Sequence, residues 1–296
     1  MSSTKREQQM LAFHSCHQGA SHKKAGKVCQ DYAFARFKEM DSYAVAIVSD
    51  GHGSNNYFRS DRGSRMAVEA AKEAINEFMR NFLKASSRKK LLDSHTPDDF
   101  MRQLETAIVY KWRMKIKNDY DKAPFTEEEL KLMTPEARKR NEDNPEKYFV
   151  KAYGATLIAV VVYPKHFWFG LHIGDGKCVA QYADGYFGQP IAWDEKCFLN
   201  VTTSLCDEKP LDNFRHCFHT DNFPNAIFVG SDGVDDCFAN DEDLYGFYQE
   251  VIRTCQEKMF KEKKCRKDLD DFLPVMSEKG SGDDISISGI IQLRKI

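Results

Sequence analysis

The chain has 296 residues, 42% of them hydrophobic and 30% charged, and a formal net charge of −2. This composition excludes collagen-like, low-complexity and wholly disordered proteins. Since Lys and Arg nearly balance Asp and Glu, no overall basic field indicates nucleic acid or an anionic membrane surface as a partner. No apolar stretch approaches the roughly 20 residues that cross a bilayer, and the first ten residues are polar. We therefore expect a cytoplasmic protein with no membrane partner.

Apolar segments of strand length recur along the chain, several of them rich in Val, Ile and aromatic residues. They predict strands at residues 43–48, 156–163, 167–173, 178–182, 226–229 and 285–291. Apolar residues at helical spacing predict helices over residues 65–82 and from about residue 241 to residue 255. Each of these helices has one apolar stripe that can pack on a sheet.

Between about residues 84 and 147 the composition changes to charged helices with clear start signals. These signals are Thr96-Pro97, the capping box of Thr126 with Glu129, and Thr134-Pro135. A solvated face is the expected role of the charges in this segment, and recognition of a protein partner is the alternative. Because predicted strands lie on both sides, we expect a single domain over residues 1–296 that includes this segment.

Nine cysteines are scattered from Cys16 to Cys265 without a C-x-x-C pair, which is typical of reduced thiols that fill the core. His14, Cys16, His17 and His22 form a dense group of ligands for a soft metal. Strand alternation would place His14 and His17 on opposite faces, and this disfavours a zinc site.

Four predicted strands have an aspartate beside a glycine at one end. Asp-Gly pairs at 50–51, 175–176 and 232–233 follow strands, and Gly282-Asp283 precedes one. Any single pair would be read as a hairpin turn, but the shared context predicts carboxylates that converge at one sheet edge. Such carboxylates need a compensating cation, and oxygen ligands favour Mg²⁺ or Mn²⁺ over zinc. His52 is the nearby group that can exchange a proton near neutral pH.

Six motifs, in this order, resemble those of the metal-dependent Ser/Thr protein phosphatases of the 2C type, the PPM family. They are Gln30-Asp31, Ser49-Asp50-Gly51-His52-Gly53, Gly154-Ala155-Thr156, Gly174-Asp175-Gly176, Ser231-Asp232-Gly233-Val234 and GSGDDIS at 280–286. The resemblance covers about residues 10–292. Ser21-His22, Gly26 and Cys29-Gln30-Asp31 make it most similar to the compact bacterial-type branch. It implies an α+β fold, a four-layer α-β-β-α sandwich of two antiparallel sheets flanked by helices.

The resemblance further implies a centre of two Mg²⁺ or Mn²⁺ ions at one end of the sandwich. Asp50 would bridge both metals, the Gly51 carbonyl would bind one of them, and Asp232 and Asp283 would bind the other. Asp31 matches the acidic position that acts through a metal-bound water. Asp175, together with Asp232, would bind a third metal ion more weakly.

The same resemblance implies how a phosphorylated protein substrate is handled. His52 would protonate the departing seryl or threonyl oxygen. Many relatives bind the substrate phosphate with an arginine at the place of Gly26, and here the expected substitutes are His22, Lys24 or Lys27. The short interval between residues 175 and 232 leaves little room for the flap subdomain of larger relatives, so substrate selection is expected to shift to the 84–147 segment.

Some positions depart from the family pattern, and alternatives follow from them. Gln30 stands where many relatives have a second acidic residue, Gly176 replaces a frequent serine, and Asp284 replaces a frequent asparagine. A phosphatase-like scaffold that binds a phosphoprotein without turnover is therefore one alternative. A metal hydrolase of another fold, acting on small phosphate esters, is a second one, and the chain has no G-x-x-x-x-G-K-[ST] phosphate loop to support it.

Overall fold

A computed structural model describes residues 9–38, 42–84, 96–198, 201–258 and 261–293. Within these ranges, ten strands form two antiparallel sheets of five strands each, ordered β1-β10-β9-β6-β7 and β2-β3-β4-β5-β8. The strands are β1 Gln9–His17, β2 Tyr32–Lys38, β3 Tyr43–Ser49, β4 Leu157–Tyr163, β5 Phe167–Ile173, β6 Lys177–Gln181, β7 Phe187–Gly188, β8 Arg215–His219, β9 Ala226–Gly230 and β10 Ile285–Leu293.

Helices cover the outer face of each sheet. The α-helices are α1 Ala20–Ala25, α2 Ser60–Leu83, α3 Pro97–Lys122, α4 Glu127–Leu130, α5 Pro135–Asp143, α6 Pro145–Tyr148, α7 Asp232–Asp235, α8 Asp241–Glu257 and α9 Glu262–Lys279. Short 3₁₀ helices lie at Asn55–Tyr57, Phe149–Tyr153 and Pro210–Asp212. No helix in the described ranges is both long and apolar enough to cross a membrane.

Strand β3 shows how the layers arise from alternation. Val45 and Ile47 pack with α2 and α3 in one buried cluster, whereas Ala46 and Val48 pack in the cluster between the two sheets. On the other side, α8 and α9 cover the β1-β10-β9 sheet, with Tyr248 among the fully buried side chains. The fold is thus an α-β-β-α sandwich, which confirms the fold class expected from the sequence.

The six predicted strands are present, with ends shifted by at most two residues. The apolar segments did not include β1, although the argument against zinc assumed a strand at residues 14–17. Polar Ser15 and His17 interrupt its apolar pattern, and it pairs with β10 along its whole length. The prediction also missed β2, β7, β8 and the charged helix α9, which contains Pro274. Helix α2 begins earlier than predicted because its buried first turns contain Ser60 and Gly63 rather than large apolar residues. All nine cysteines are free thiols.

The charged 84–147 segment has two parts with different roles, and its residues 85–95 lie outside the described ranges. Helix α3 belongs to the core, since Trp112 is fully buried and its Nε1–H donates to the Gly63 carbonyl at 3.0 Å. Lys111 and Lys115 of α3 pair with Glu77 and Glu73 of α2. Helix α3 therefore packs on α2 through its apolar side while Arg113 stays exposed, whereas residues 123–148 form a mostly exposed surface layer.

Candidate metal centre

Three of the predicted aspartates meet where strands of both sheets end. Asp50 directly follows β3, Asp175 follows β5 after one glycine, and Asp232 begins α7 just beyond β9. One carboxylate oxygen from each of these three residues lies within 4.8 Å of the others. The side chains are half-buried, so the cluster is shielded from bulk water on one side and open on the other.

Asp31 and Asp283 lie outside this group of three but act on its members through their charges. Asp31 precedes β2, is only 5% exposed, and neither carboxylate oxygen has a hydrogen-bond partner among the described residues. Burial, together with the charge of Asp284, raises the pKa of Asp31 to about 6. Asp283 lies outside the group of three close oxygens, and its side chain is 52% exposed. Its charge is nevertheless one of those that act on Asp232.

The raised pKa values of the clustered aspartates indicate that the site needs a cation. Burial, followed by repulsion from Asp232, Asp31 and Asp175, raises the pKa of Asp50 well above its usual range. The pKa of Asp232 is raised in the same way, by burial and then by its acidic neighbours. Carboxylates this close cannot all be ionised at neutral pH without a cation between them. Since all the donors are hard oxygens, the residues fit Mg²⁺ or Mn²⁺.

A glycine shapes the loop that carries the first aspartate. Gly51 forms an isolated antiparallel bridge with Ala155, and the hydrogen bonds of this bridge come from its neighbours: Thr156 N donates to Asp50 O, and His52 N to Gly154 O. The Gly51 carbonyl is therefore not used in this pairing. A Cβ at Gly51 would lie 2.6 Å from the carbonyl oxygens of Gln30 and Ser60, so no larger residue fits.

His52 stands beside the cluster in a close-fitting niche. Its ring packs edge-on against Tyr57, with 4.6 Å between the ring centroids. A Cβ on Gly154 would come within 2.5 Å of the imidazole, so the niche depends on this glycine. Burial, and then the charge of Lys151, lower the pKa of His52 to about 4. In the protein alone the imidazole is thus neutral at pH 7, and a nearby anion is needed to make it a proton donor.

Asp284 is a residue that sequence reasoning did not assign to the site. Its buried carboxylate accepts hydrogen bonds from the backbone N–H groups of Gly19 and Gln30, both at 2.6 Å. The side chain of Gln30 in turn donates to the His52 carbonyl at 3.1 Å. Asp284 and Gln30 therefore fix the segment before Asp31 and the loop after Asp50. The Asp283-Asp284 doublet was the only signal for this role in the sequence.

Two of the phosphate-binding candidates occupy different surroundings. His22 has Nδ1 2.9 Å from Asp284 and Nε2 3.5 Å from Asp283, so both ring nitrogens already face carboxylates. The ammonium of Lys27 is exposed and donates to the Gly53 carbonyl at 3.0 Å, next to the aspartate loop. Gly26 ends α1 with φ at +67° and offers no side chain. Lys27 is the better placed of the two to meet an anion.

The family of the chain follows from a comparison of its sequence with known protein families. The Protein phosphatase 2C family matches residues 18–274, and the chain belongs to this family. The match stops short of Asp283, so the position of that residue rests on the structure. Among curated proteins, no relative matches the sequence.

Solved structures with this fold include several bacterial phosphatases. A bacterial serine phosphatase is 14% identical with a TM-score of 0.56, over 97% of this chain and 99% of the other. PppA of Pseudomonas aeruginosa, a regulatory component of T6SS, is 14% identical with a TM-score of 0.54, over 96% and 98%. The catalytic domain of the serine threonine protein phosphatase PstP, in complex with two manganese ions, is 13% identical with a TM-score of 0.53, over 97% and 100%. At these identities the likeness shows the fold alone.

Proposed function

We propose that this chain is an active metal-dependent protein phosphatase that hydrolyses phosphoserine and phosphothreonine in proteins. The observation that carries the proposal is the meeting of three carboxylates within 4.8 Å at the strand ends of a Protein phosphatase 2C sandwich. A cluster of mutually repelling, half-buried carboxylates is unfavourable without a cation. Its presence in this fold supports a metal-binding role rather than a purely structural one.

Two Mg²⁺ or Mn²⁺ ions would be held by Asp50, the Gly51 carbonyl, Asp232 and Asp283. Asp31 would act on them through water, since its buried carboxylate lies beside the cluster rather than within it. The aspartate at 175 is close enough to Asp50 and Asp232 to support a third ion. When bound, such ions supply activated water at neutral pH and offset the charge of the phosphoryl group.

The residues of the chain would orient the reaction around this centre. Asp284 and Gln30 hold the loops that present Asp31 and Asp50. Lys27 would attract the phosphate at the open side of the aspartate loop. Proton transfer to the leaving oxygen is assigned to His52, whose imidazole is neutral until an anion approaches and raises its pKa.

Phosphate release from phosphoserine and phosphothreonine peptides tests the proposal directly. We expect turnover with Mn²⁺ and Mg²⁺, none with a chelator, and a large loss in Asp283→Asn. An exposed-surface control, Asp184→Asn, should leave turnover unchanged. Metal binding without any phosphate release would support the scaffold alternative, and release that survives chelation would exclude a metal-dependent phosphatase.

A further inference from the structure

A groove on the surface layer of the 84–147 segment is not used by the proposed catalytic centre. It has a volume of about 740 Å³ and lies between α3, the α5–α6 region and the loop around Asp207. We call it the basic groove and define it by Tyr110, Arg113, Met114, Arg140, Tyr148 and Lys151.

The basic groove continues toward the catalytic centre. A second cavity, of about 250 Å³, shares Arg140, Tyr148 and Lys151 with it and is also lined by Tyr57. The Tyr57 ring contacts the ring of His52. A chain lying in the groove would therefore lead to the side of His52, where the leaving oxygen of a substrate is expected.

The charges that line the groove favour an acidic occupant. Five cationic side chains face three acidic ones. All three acids are already matched by groove lysines: Glu146 with Lys117, Asp207 with Lys151, and Glu208 with Lys147. In contrast, neither of the two groove arginines has an ion pair in the described part of the chain. The positive charge of Arg113 and Arg140 is thus free to meet an acidic ligand.

Apolar contacts are available beside these charges. Tyr110 and Met114 lie one helical turn apart on α3 and are 64% and 53% exposed. Large apolar side chains with such exposure, rimmed by cations, are typical of a peptide-binding surface.

The groove is also held in place rather than loosely attached. Arg59, which is 3% exposed, donates to both carboxylate oxygens of Glu129 at 2.7 and 2.8 Å and to the carbonyl of Ala123. Thr134 N donates to Asn56 Oδ1 at 3.0 Å, which ties the start of α5 to the 3₁₀ helix beside His52. The wall of the groove is therefore fixed relative to the catalytic centre.

We propose that the basic groove binds acidic residues that flank the phosphorylated serine or threonine of a protein substrate. The inference deepens the proposed function and rests on it for the identity of the site. It makes the groove between α3 and the 123–148 layer a determinant of sequence specificity, in line with the expected shift of substrate selection to the 84–147 segment.

Binding of a labelled peptide tests the groove without turnover. The probe is an unphosphorylated serine peptide flanked by Asp and Glu, measured by fluorescence anisotropy without added metal against the same peptide flanked by Lys and Arg. We expect at least tenfold tighter binding of the acidic peptide, and about tenfold weaker binding of it by the Arg113→Glu, Arg140→Glu double variant. Lys139→Glu is the matched control, since Lys139 is exposed on the same helix as Arg140 but does not line the groove. Equal affinity for the two peptides, or an equal loss in the control, would overturn the proposal.

Turnover separates this inference from the proposed function. We expect kcat/KM for the acidic phosphoserine peptide to exceed that for the basic one at least tenfold, and this ratio to fall about tenfold in the double variant. Absence of turnover on every substrate, p-nitrophenyl phosphate included, with the binding preference intact would contradict the proposed function and support the groove. Equal kcat/KM for the acidic and the basic phosphoserine peptide would contradict the role of the groove but not the proposed phosphatase activity.

Discussion

The aspartate cluster and the basic groove lie side by side, yet they arise from the sequence in different ways. The cluster is made by short motifs at strand ends, where the sheet fixes each carboxylate. The groove is made by single residues spread from Tyr110 to Glu208, and only the packing of α3 to α6 brings them together. We therefore expect single substitutions in the cluster to change turnover strongly. Substitutions in the groove should cause smaller changes, in the selectivity between substrates.

The largest expected effect belongs to the cluster. Asp232→Asn should lower turnover of p-nitrophenyl phosphate by roughly 10³-fold, because a charged ligand is lost where charge develops in the reaction. The same change should raise the melting temperature of the chelated protein, since repulsion among buried carboxylates is relieved. Calorimetry with chelator measures the second effect. A loss of turnover under tenfold, or a lower melting temperature, would contradict this account of the cluster.

The next effect concerns the support of the groove. Arg59→Ala should lower the free energy of unfolding by roughly 3 kcal/mol, because two carbonyls lose this donor and the Glu129 carboxylate keeps only the backbone N–H of Thr126. Urea unfolding measures this loss. Arg80→Ala, at an exposed position of the helix α2 that begins directly after Arg59, should change stability by less than about 0.5 kcal/mol. Similar effects of the two substitutions would show that Arg59 does not clamp the surface layer.

The boundary between the two regions can be tested at His52. Gly154→Ala should push the imidazole and Tyr57 apart and lower kcat by about 10²-fold, since small displacements of a catalytic group are costly. Gly246→Ala is the matched control, because a Cβ there meets nothing within 4 Å and alanine favours the helix. Unchanged kcat in Gly154→Ala would mean that the position of His52 does not matter for turnover.

The smallest effect is a pH dependence of stability. Burial acts to raise the pKa of Glu129, but hydrogen bonds from Arg59 and the backbone of Thr126 outweigh it and lower the pKa below its usual value. A lowered carboxylate pKa stabilises the fold above the pKa of the unfolded chain, and this stability is lost as pH falls through the folded value. Urea unfolding between pH 6 and pH 3 should thus show a steeper acid loss in the parent than in Glu129→Gln. Parallel curves would contradict the assigned role of Glu129.

The sequence predicted most of the aspartates that lie at strand ends, but few of the residues that form the surface layer and its groove. Asp-Gly pairs after apolar segments located Asp50, Asp175 and Asp232, because a buried strand delivers its next residue to a fixed place. The sequence also predicted His22 as a phosphate ligand, but in the structure Asp283 and Asp284 face both ring nitrogens. This pairing arises from tertiary packing and has no signal in the sequence. Lys151, which borders both His52 and the groove, belongs to no motif, and tertiary packing alone reveals it.

Equilibrium dialysis with Mn²⁺ tests the central claim, that Asp50 and its neighbours form a metal centre. We predict two tightly bound ions per chain in the parent protein and at most one in Asp50→Asn, with Asp184→Asn matching the parent. A parent chain that binds no Mn²⁺, or an Asp50→Asn variant that binds as much as the parent, would contradict the claim.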